Sequence, residues 1–237
     1  RGLGDVYKRQ EENIQNHIEN RFRDIGYTVK SKILYASDFG VPQRRNRLFI
    51  VGNRNGIDFE FPKEFDYSVS VDEAISDLPV LGNGEIQMKG EYTVPFEQAS
   101  PYAQLMRKKS KAPTQNIVSR NKDYVVERYK YIGQGENWSS IPDRLMENYA
   151  DKKRCHSGIY KRLIGGKPSV VISNYRKSML IHPHQDRGLS VREAARLQSF
   201  PDHFIFEGPV SYVQQQIGNA VPPLLAKAVM KKILTYK

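Results

Sequence analysis

Two groups of residues in this chain combine types and spacings that chemistry uses. The first is Gln43, Arg45 and Arg47 in the stretch GVPQRRNRLFIVG. Alternate residues on extended backbone point to one side, so an amide and two guanidiniums share a side. Guanidiniums so placed can fork onto a phosphate or a base carbonyl. A solvated basic loop is the plain alternative. The second group lies in LSVREAARLQSFPDHFIFEGPVSYVQQQIGNAVPPLL, residues 189–225. Arg192, Arg196 and Gln198 sit close together on one predicted helix. Further on, Asn219, Ala220 and Val221 form a short backbone segment between two helix ends, which suits a small polar ligand. Here the plain alternative is a solvated amphipathic helix and then a turn.

The elements that must hold these residues can be read locally. Ser190 is a good N-cap and Glu193 stands three residues on, which makes a capping box. That helix must stop near Phe200, because Pro201 cannot continue it. A helical turn over Tyr212–Ile217 is expected to end at Gly218 as its C′ residue. Pro222 and Pro223 then restart a helix, with Leu224, Leu225, Ala228, Val229 and Ile233 as its core stripe. Upstream, Glu11–Ile25 reads as a helix with Ile14, His17, Ile18, Phe22 and Ile25 on one stripe, closed by Gly26. Tyr27–Ala36 alternates as a strand does, and Leu48–Val51 is a second strand. Two strands flanking a short loop can pair antiparallel, which puts Gln43, Arg45 and Arg47 at a sheet edge.

The pattern RExxRxQxFPD followed by QxGNAVPP resembles the last two blocks of DNA cytosine-5 methyltransferases, and GVPQRRNR is similar to that family's QxRxR block. All three stand in the family's order, and the resemblance covers residues 11–56 and 187–237. It implies an α/β fold, α+β for the fragment alone. The chain would supply the last strands and C-terminal helix of a class I S-adenosylmethionine-dependent methyltransferase domain, plus a small β-containing target recognition domain. Residues 11–57 would end the catalytic domain, 58–210 would form the recognition domain, and 211–237 would return to the catalytic domain. By the same resemblance Arg45 contacts the target cytosine, flipped out of double-stranded DNA. Gln43 and Arg47 hold the loop, and Asn219, Ala220 and Val221 hold the methionine end of S-adenosylmethionine. Arg192, Arg196 and Gln198 are expected to contact DNA.

Composition agrees with a polyanion partner: Lys and Arg number 37 against 26 Asp and Glu, a formal charge of +11. A basic RNA-binding protein would share that excess, but neither an RNP aromatic block nor a GxxG loop is present. The single cysteine, Cys155, excludes an internal disulfide and fits a cytoplasmic setting; the resemblance further implies a bacterial, nucleoid-associated monomer. No apolar run approaches a membrane span. RGLGDVYKRQ, residues 1–10, shows no periodicity joining it to residues 11–25 and resembles a translated adapter sequence, so it reads as an artefact.

Residues 58–186 carry no family block. VDEAISDLP and Tyr124–Ile132 read as helices. Ser157–Ile164 and Pro168–Ile172 read as strands joined by a turn at Gly165 and Gly166. The run RKKSK, residues 107–111, is either a solvated face or a phosphate contact. Trp138 is either core or support for a DNA-facing loop. Cys155 with His156 lacks an orienting third group for nucleophilic catalysis, and His182, His184 and Asp186 lack a metal-ligand pattern; no metal is expected. The family's Pro-Cys nucleophile, its Glu-Asn-Val block and its Gly-rich cofactor loop are absent, so the chain reads as a C-terminal fragment, inactive alone and missing an N-terminal catalytic portion. The alternatives are a sequence-specific DNA-binding module without catalysis and a generic basic RNA-binding protein.

Overall fold

A computed structural model describes residues 3–147, 158–173, 175, 177 and 179–236. It begins with a helix, α1 (Leu3–Asp24), and then a hairpin of β1 (Thr28–Tyr35) and β2 (Asn46–Asn53). Gly26 closes α1 at φ +86°, a conformation that favours glycine, and its N–H donates to Arg23 O at 2.9 Å. The hairpin is antiparallel as expected, with Leu34 opposite Arg47 and Tyr35 opposite Asn46. Helix α1 starts well upstream of the expected Glu11, so residues 3–10 continue it rather than standing apart from it.

The connection between β1 and β2 is a 3-10 turn, Ala36–Phe39, and then the QRRNR loop. Leu34, Ala36, Phe39 and Val41 from this region pack against Leu225 and Val229 of the last helix, α7 (Pro223–Leu234). One small core thus joins the two ends of the chain, and the whole predicted α7 stripe takes part in it. The same unit leaves several large apolar side chains open to solvent. Ile14, Ile25, Ile33, Tyr35, Leu48, Met230 and Leu234 are all exposed.

A second, larger core gathers α2 (Val71–Ile75), α3 (Pro101–Arg107), α5 (Val191–Leu197) and α6 (Val210–Asn219). Beside it stands a two-stranded antiparallel sheet, β3 (Ile86–Lys89) with β4 (Thr114–Ile117), for which the sequence pattern gives no signal. A third cluster forms around α4 (Asp123–Tyr129), and half-buried Trp138 packs against it. The chain is therefore a mixed α/β structure with two small antiparallel sheets among its described residues.

Two local expectations are corrected. Residues around Gly165 and Gly166 do not close a hairpin among the described residues. Instead Asp72 N donates to Gly165 O at 2.9 Å and Val71 N to Lys167 O at 3.0 Å, so this segment covers the start of α2. Ser169 then bridges to Gln43 in parallel. Gly218 does not end its helix either, because α6 runs on to Asn219. Its need for glycine is steric: a Cβ there would lie 1.9 Å from Ser173 O. Cys155 and His156 lie outside the described residues.

Candidate functional site

The three sequence blocks meet at one buried junction. Gln43 has no exposed surface, and its amide is used at both ends. Its Nε2 donates to Gln198 Oε1 at 2.9 Å and to Leu197 O at 3.2 Å, while its Oε1 accepts from Ile172 N at 2.9 Å. Gln198 Nε2 in turn donates to Ile217 O at 2.6 Å. Arg45 lies alongside and is 2% exposed. One terminal nitrogen donates to Ile172 O at 3.1 Å and the other to Gly218 O at 2.6 Å. Among the described residues no carboxylate pairs with Arg45, and its Nε has no partner.

This geometry reassigns Arg45. Buried as it is, and holding the carbonyls of Ile172 and Gly218 with two of its five N–H donors, this guanidinium acts as a brace between the 172 segment and the end of α6 and presents no donor at the surface. The alternation in the sequence does put Gln43 and Arg45 on one side, but that side faces the interior. Arg47, two residues on, is half-buried and donates only to Asn46 O at 2.8 Å among the described residues. Burial lowers its pKa from the ordinary arginine value.

Asn219 and Val221 are exposed and Ala220 is half-buried. Among the described residues the Asn219 side chain makes no hydrogen bond. The segment is nevertheless fixed on both sides. Gly218 is pressed against Ser173 and gripped by Arg45, and Ala220 N still donates to Gln216 O at 3.1 Å. Beyond it, Ser199 Oγ accepts from Leu224 N at 3.1 Å and so ties the first turn of α7 to the end of α5. Exposed polar groups on a fixed backbone fit the polar end of a small ligand.

Arg192, Arg196 and Gln198 correct the expectation of DNA contacts. All three have no exposed surface. Arg192 is spent on Thr114 O at 2.8 Å and Phe204 O at 2.9 Å, holding β4 and the 204 loop to α5. Arg196 forms a double bridge to Asp202 at 2.5 and 2.6 Å and reaches Asp77 at 3.1 Å. Burial disfavours its charge, but Asp202 and Asp77 more than restore it, and the cation is held firmly. Asp202 is lowered in return: burial would raise it, and Arg196 pulls it down. Buried charges without partners are very costly, so both arginines are internal ties, Arg196 held by two carboxylates and Arg192 by backbone carbonyls.

The capping box at the start of α5 is present: Ser190 Oγ accepts from Glu193 N at 3.1 Å and Glu193 Oε2 accepts from Ser190 N at 2.7 Å. The sequence gives no sign that Glu193 is also clasped by Arg187 at 2.7 and 2.9 Å, both groups buried. Burial alone would raise the Glu193 carboxyl, yet Arg187 draws it down to about 2. Nearby, burial lowers His182 to about 4. His184 pairs with Asp72 at 2.8 Å, and Asp186 with Arg162 at 2.5 Å. Of the RKKSK run, Arg107 is buried against Asp77 and the Tyr92 ring, while Lys108, Lys109 and Lys111 are exposed.

Residues 4–235 match the C-5 cytosine-specific DNA methylase family profile. Type II methyltransferase M1.HphI of Haemophilus parahaemolyticus is 35% identical over 219 residues, covering 92% of this chain and 50% of that protein. Type II methyltransferase M.DdeI of Desulfomicrobium norvegicum is 32% identical over 256 residues, covering 99% of this chain and 61% of that protein. The chain thus spans about half the length of the curated relatives it matches. Among solved structures, a prophage-encoded E. coli chain described as a candidate DNA modification methyltransferase superposes with a TM-score of 0.66 at 24% identity, over 95% of this chain and 65% of that one. An Entamoeba histolytica methyltransferase does so with a TM-score of 0.51 at 11% identity, over 94% of this chain and 58% of that one. At such identities the likeness speaks for the fold. No described helix is long and apolar enough to cross a membrane.

Proposed function

The chain belongs to the C-5 cytosine-specific DNA methylase family, and on that premise we propose that it is the C-terminal part of a bacterial restriction-modification enzyme that methylates C5 of cytosine within a specific duplex sequence. The observation that carries this reading is the junction itself. Arg45 and Gln198 grip the last turn of α6 by the carbonyls of Gly218 and Ile217, and the next residues, Asn219 to Val221, stand exposed beyond it. Those residues would hold the methionyl end of S-adenosylmethionine, which supplies the methyl group when bound. Arg47, with donors to spare, takes the role that the resemblance gave Arg45. It would reach a carbonyl of the flipped cytosine, while Arg45 and Gln43 position the loop. Residues 58–210 would read the bases.

The cysteine nucleophile of this reaction sits in a block this sequence does not carry, so the chain's own contribution is to bind and orient. The exposed apolar side chains on α1, the hairpin and α7 support further polypeptide covering them. The test is twofold. The 237-residue chain, given tritiated S-adenosylmethionine and mixed-sequence DNA, is expected to transfer no label. The complete reading frame, expressed in a methylation-free host, is expected to leave 5-methylcytosine at one sequence context. Label transferred by the chain alone overturns the fragment reading. Site-specific DNA binding by the complete protein without any 5-methylcytosine favours the non-catalytic module instead.

A further inference from the structure

A cavity of about 410 Å³ lies at the seam between the hairpin core and the larger α2–α3 core. One wall comes from the hairpin unit: Phe39, Leu224 and Ala228. The facing wall comes from the α2–α3 side, with Val69, Tyr102 and Leu105. Phe65 and Tyr67, from the connection between the two, close the third side with rings stacked at 5.3 Å and 15°. None of these residues belongs to the Arg45 junction, so the cavity is separate from that site.

Three features of the cavity call for an occupant. Its volume falls within the ~300–1,000 Å³ typical of small-molecule sites, and its lining is mainly apolar and aromatic. Three of its lining side chains, Phe65, Tyr67 and Leu105, are 45, 57 and 43% exposed, so apolar surface that could have been buried is left open around one hollow. Finally, Lys227 and Lys231, one turn apart on α7, line the same cavity, and neither enters an ion pair among the described residues. The one carboxylate in the lining, Glu73, is engaged by Ser70, whose N and Oγ both donate to its Oε2 at 2.8 and 2.6 Å.

We propose that this cavity binds a small amphipathic organic anion: a planar aromatic body against Phe65, Tyr67, Leu105 and Leu224, with its carboxylate or sulfonate toward Lys227 and Lys231. A neutral apolar ligand would leave both ammoniums unused, and a simple inorganic anion would leave the aromatic wall wet. Because Phe39 and Ala228 belong to the hairpin core and Val69 and Tyr102 to the larger one, the occupant would add to the link that Leu224 already makes between them and stiffen the seam.

The probe is 8-anilinonaphthalene-1-sulfonate, a naphthyl sulfonate of the required chemistry, titrated into the 237-residue chain and followed by fluorescence. Saturable one-to-one binding is expected. The double variant Lys227→Glu/Lys231→Glu should weaken it at least tenfold, with circular dichroism and melting unchanged, since both side chains are exposed. Leu105→Gln should weaken it as well. Ile33→Ser, on the exposed face of the hairpin, should leave it untouched. The neutral analogue N-phenyl-1-naphthylamine should bind wild type weakly and ignore the charge reversal. Sulfonate binding that does not saturate, that survives the charge reversal, or that falls with Ile33→Ser overturns the proposal, because the dye would then be reporting generic apolar surface.

Discussion

At the scale of single residues, the two arginines of the QRRNR loop should separate cleanly. Arg45→Met removes the donors to Ile172 O and Gly218 O, both in buried surroundings. Leaving such acceptors unpaired costs about 1–3 kcal/mol each, so a urea midpoint well below wild type is expected. Arg47→Ala touches one exposed carbonyl, and surface changes of that kind stay within about 0.5 kcal/mol. On the function proposed, however, Arg47→Ala in the complete protein lowers methyl transfer while S-adenosylmethionine affinity holds. Equal stability losses in the two variants would break the division between brace and hand. The same logic applies to Arg196, whose loss would leave Asp202 without its buried cation and Asp77 with Arg107 alone. Removing one partner of such a buried cluster costs about 3–5 kcal/mol, so Arg196→Leu is expected to melt early, whereas the Lys108, Lys109 and Lys111 side chains can be changed without cost.

At the scale of elements, the first hairpin and every longer helix but α3 were legible because their signals are local. Ser190 with Glu193, Gly26 after α1, and the Leu225–Val229 stripe are each specified within a few residues. What was not legible depends on partners far along the chain. An arginine bound for Asp202 and one bound for a phosphate look alike in sequence. Gly218 looked like a helix cap, but it is a contact point with Ser173, 45 residues away in sequence. Gly218→Ala should therefore be far worse than helix propensity, which favours Ala by about 1 kcal/mol, would suggest. The clash forces α6 off Ser173, and a loss of about 1–3 kcal/mol is expected for such overpacking. A melt equal to or above wild type would show that the 173 segment yields freely. The start of α5 also carries an acid sensitivity. His182 is lowered from 6.5 to about 4 by burial. A group lowered in the folded state gives stability that is full above its unfolded value and lost as pH falls toward the folded one. The His182 contribution therefore fades between about 6.5 and 4, and that of Glu193, lowered from 4.5 to about 2, fades below about 4.5. Urea stability should decline from pH 7 to 4, and His182→Gln should flatten the upper part of that decline.

At the scale of the molecule, the excess of basic residues is not all available to a polyanion. Arg45, Arg107, Arg128, Arg162, Arg187, Arg192 and Arg196 are buried, while Lys108, Lys109, Lys111, Lys227 and Lys231 stand outside. Binding to duplex DNA should still depend on salt, with a log–log slope of about −0.9 for each phosphate contacted. Changing Lys108, Lys109 and Lys111 together to Ala should make that slope shallower by up to about 3 if the run touches phosphates, and leave it unchanged if the run is only a solvated face. The buried set has a consequence of another kind. Phenylglyoxal, a dicarbonyl that condenses with guanidiniums, would find two populations here. Arg44, Arg54, Arg120 and Arg144 are exposed and should be modified at the rate of free arginine. Arg192 and Arg196 can react only when the structure around α5 opens, so their labelling rate becomes a clock for that opening. Peptide mapping of the slow adducts over time would rank the ties by how often each lets go, and would do so without altering a single residue.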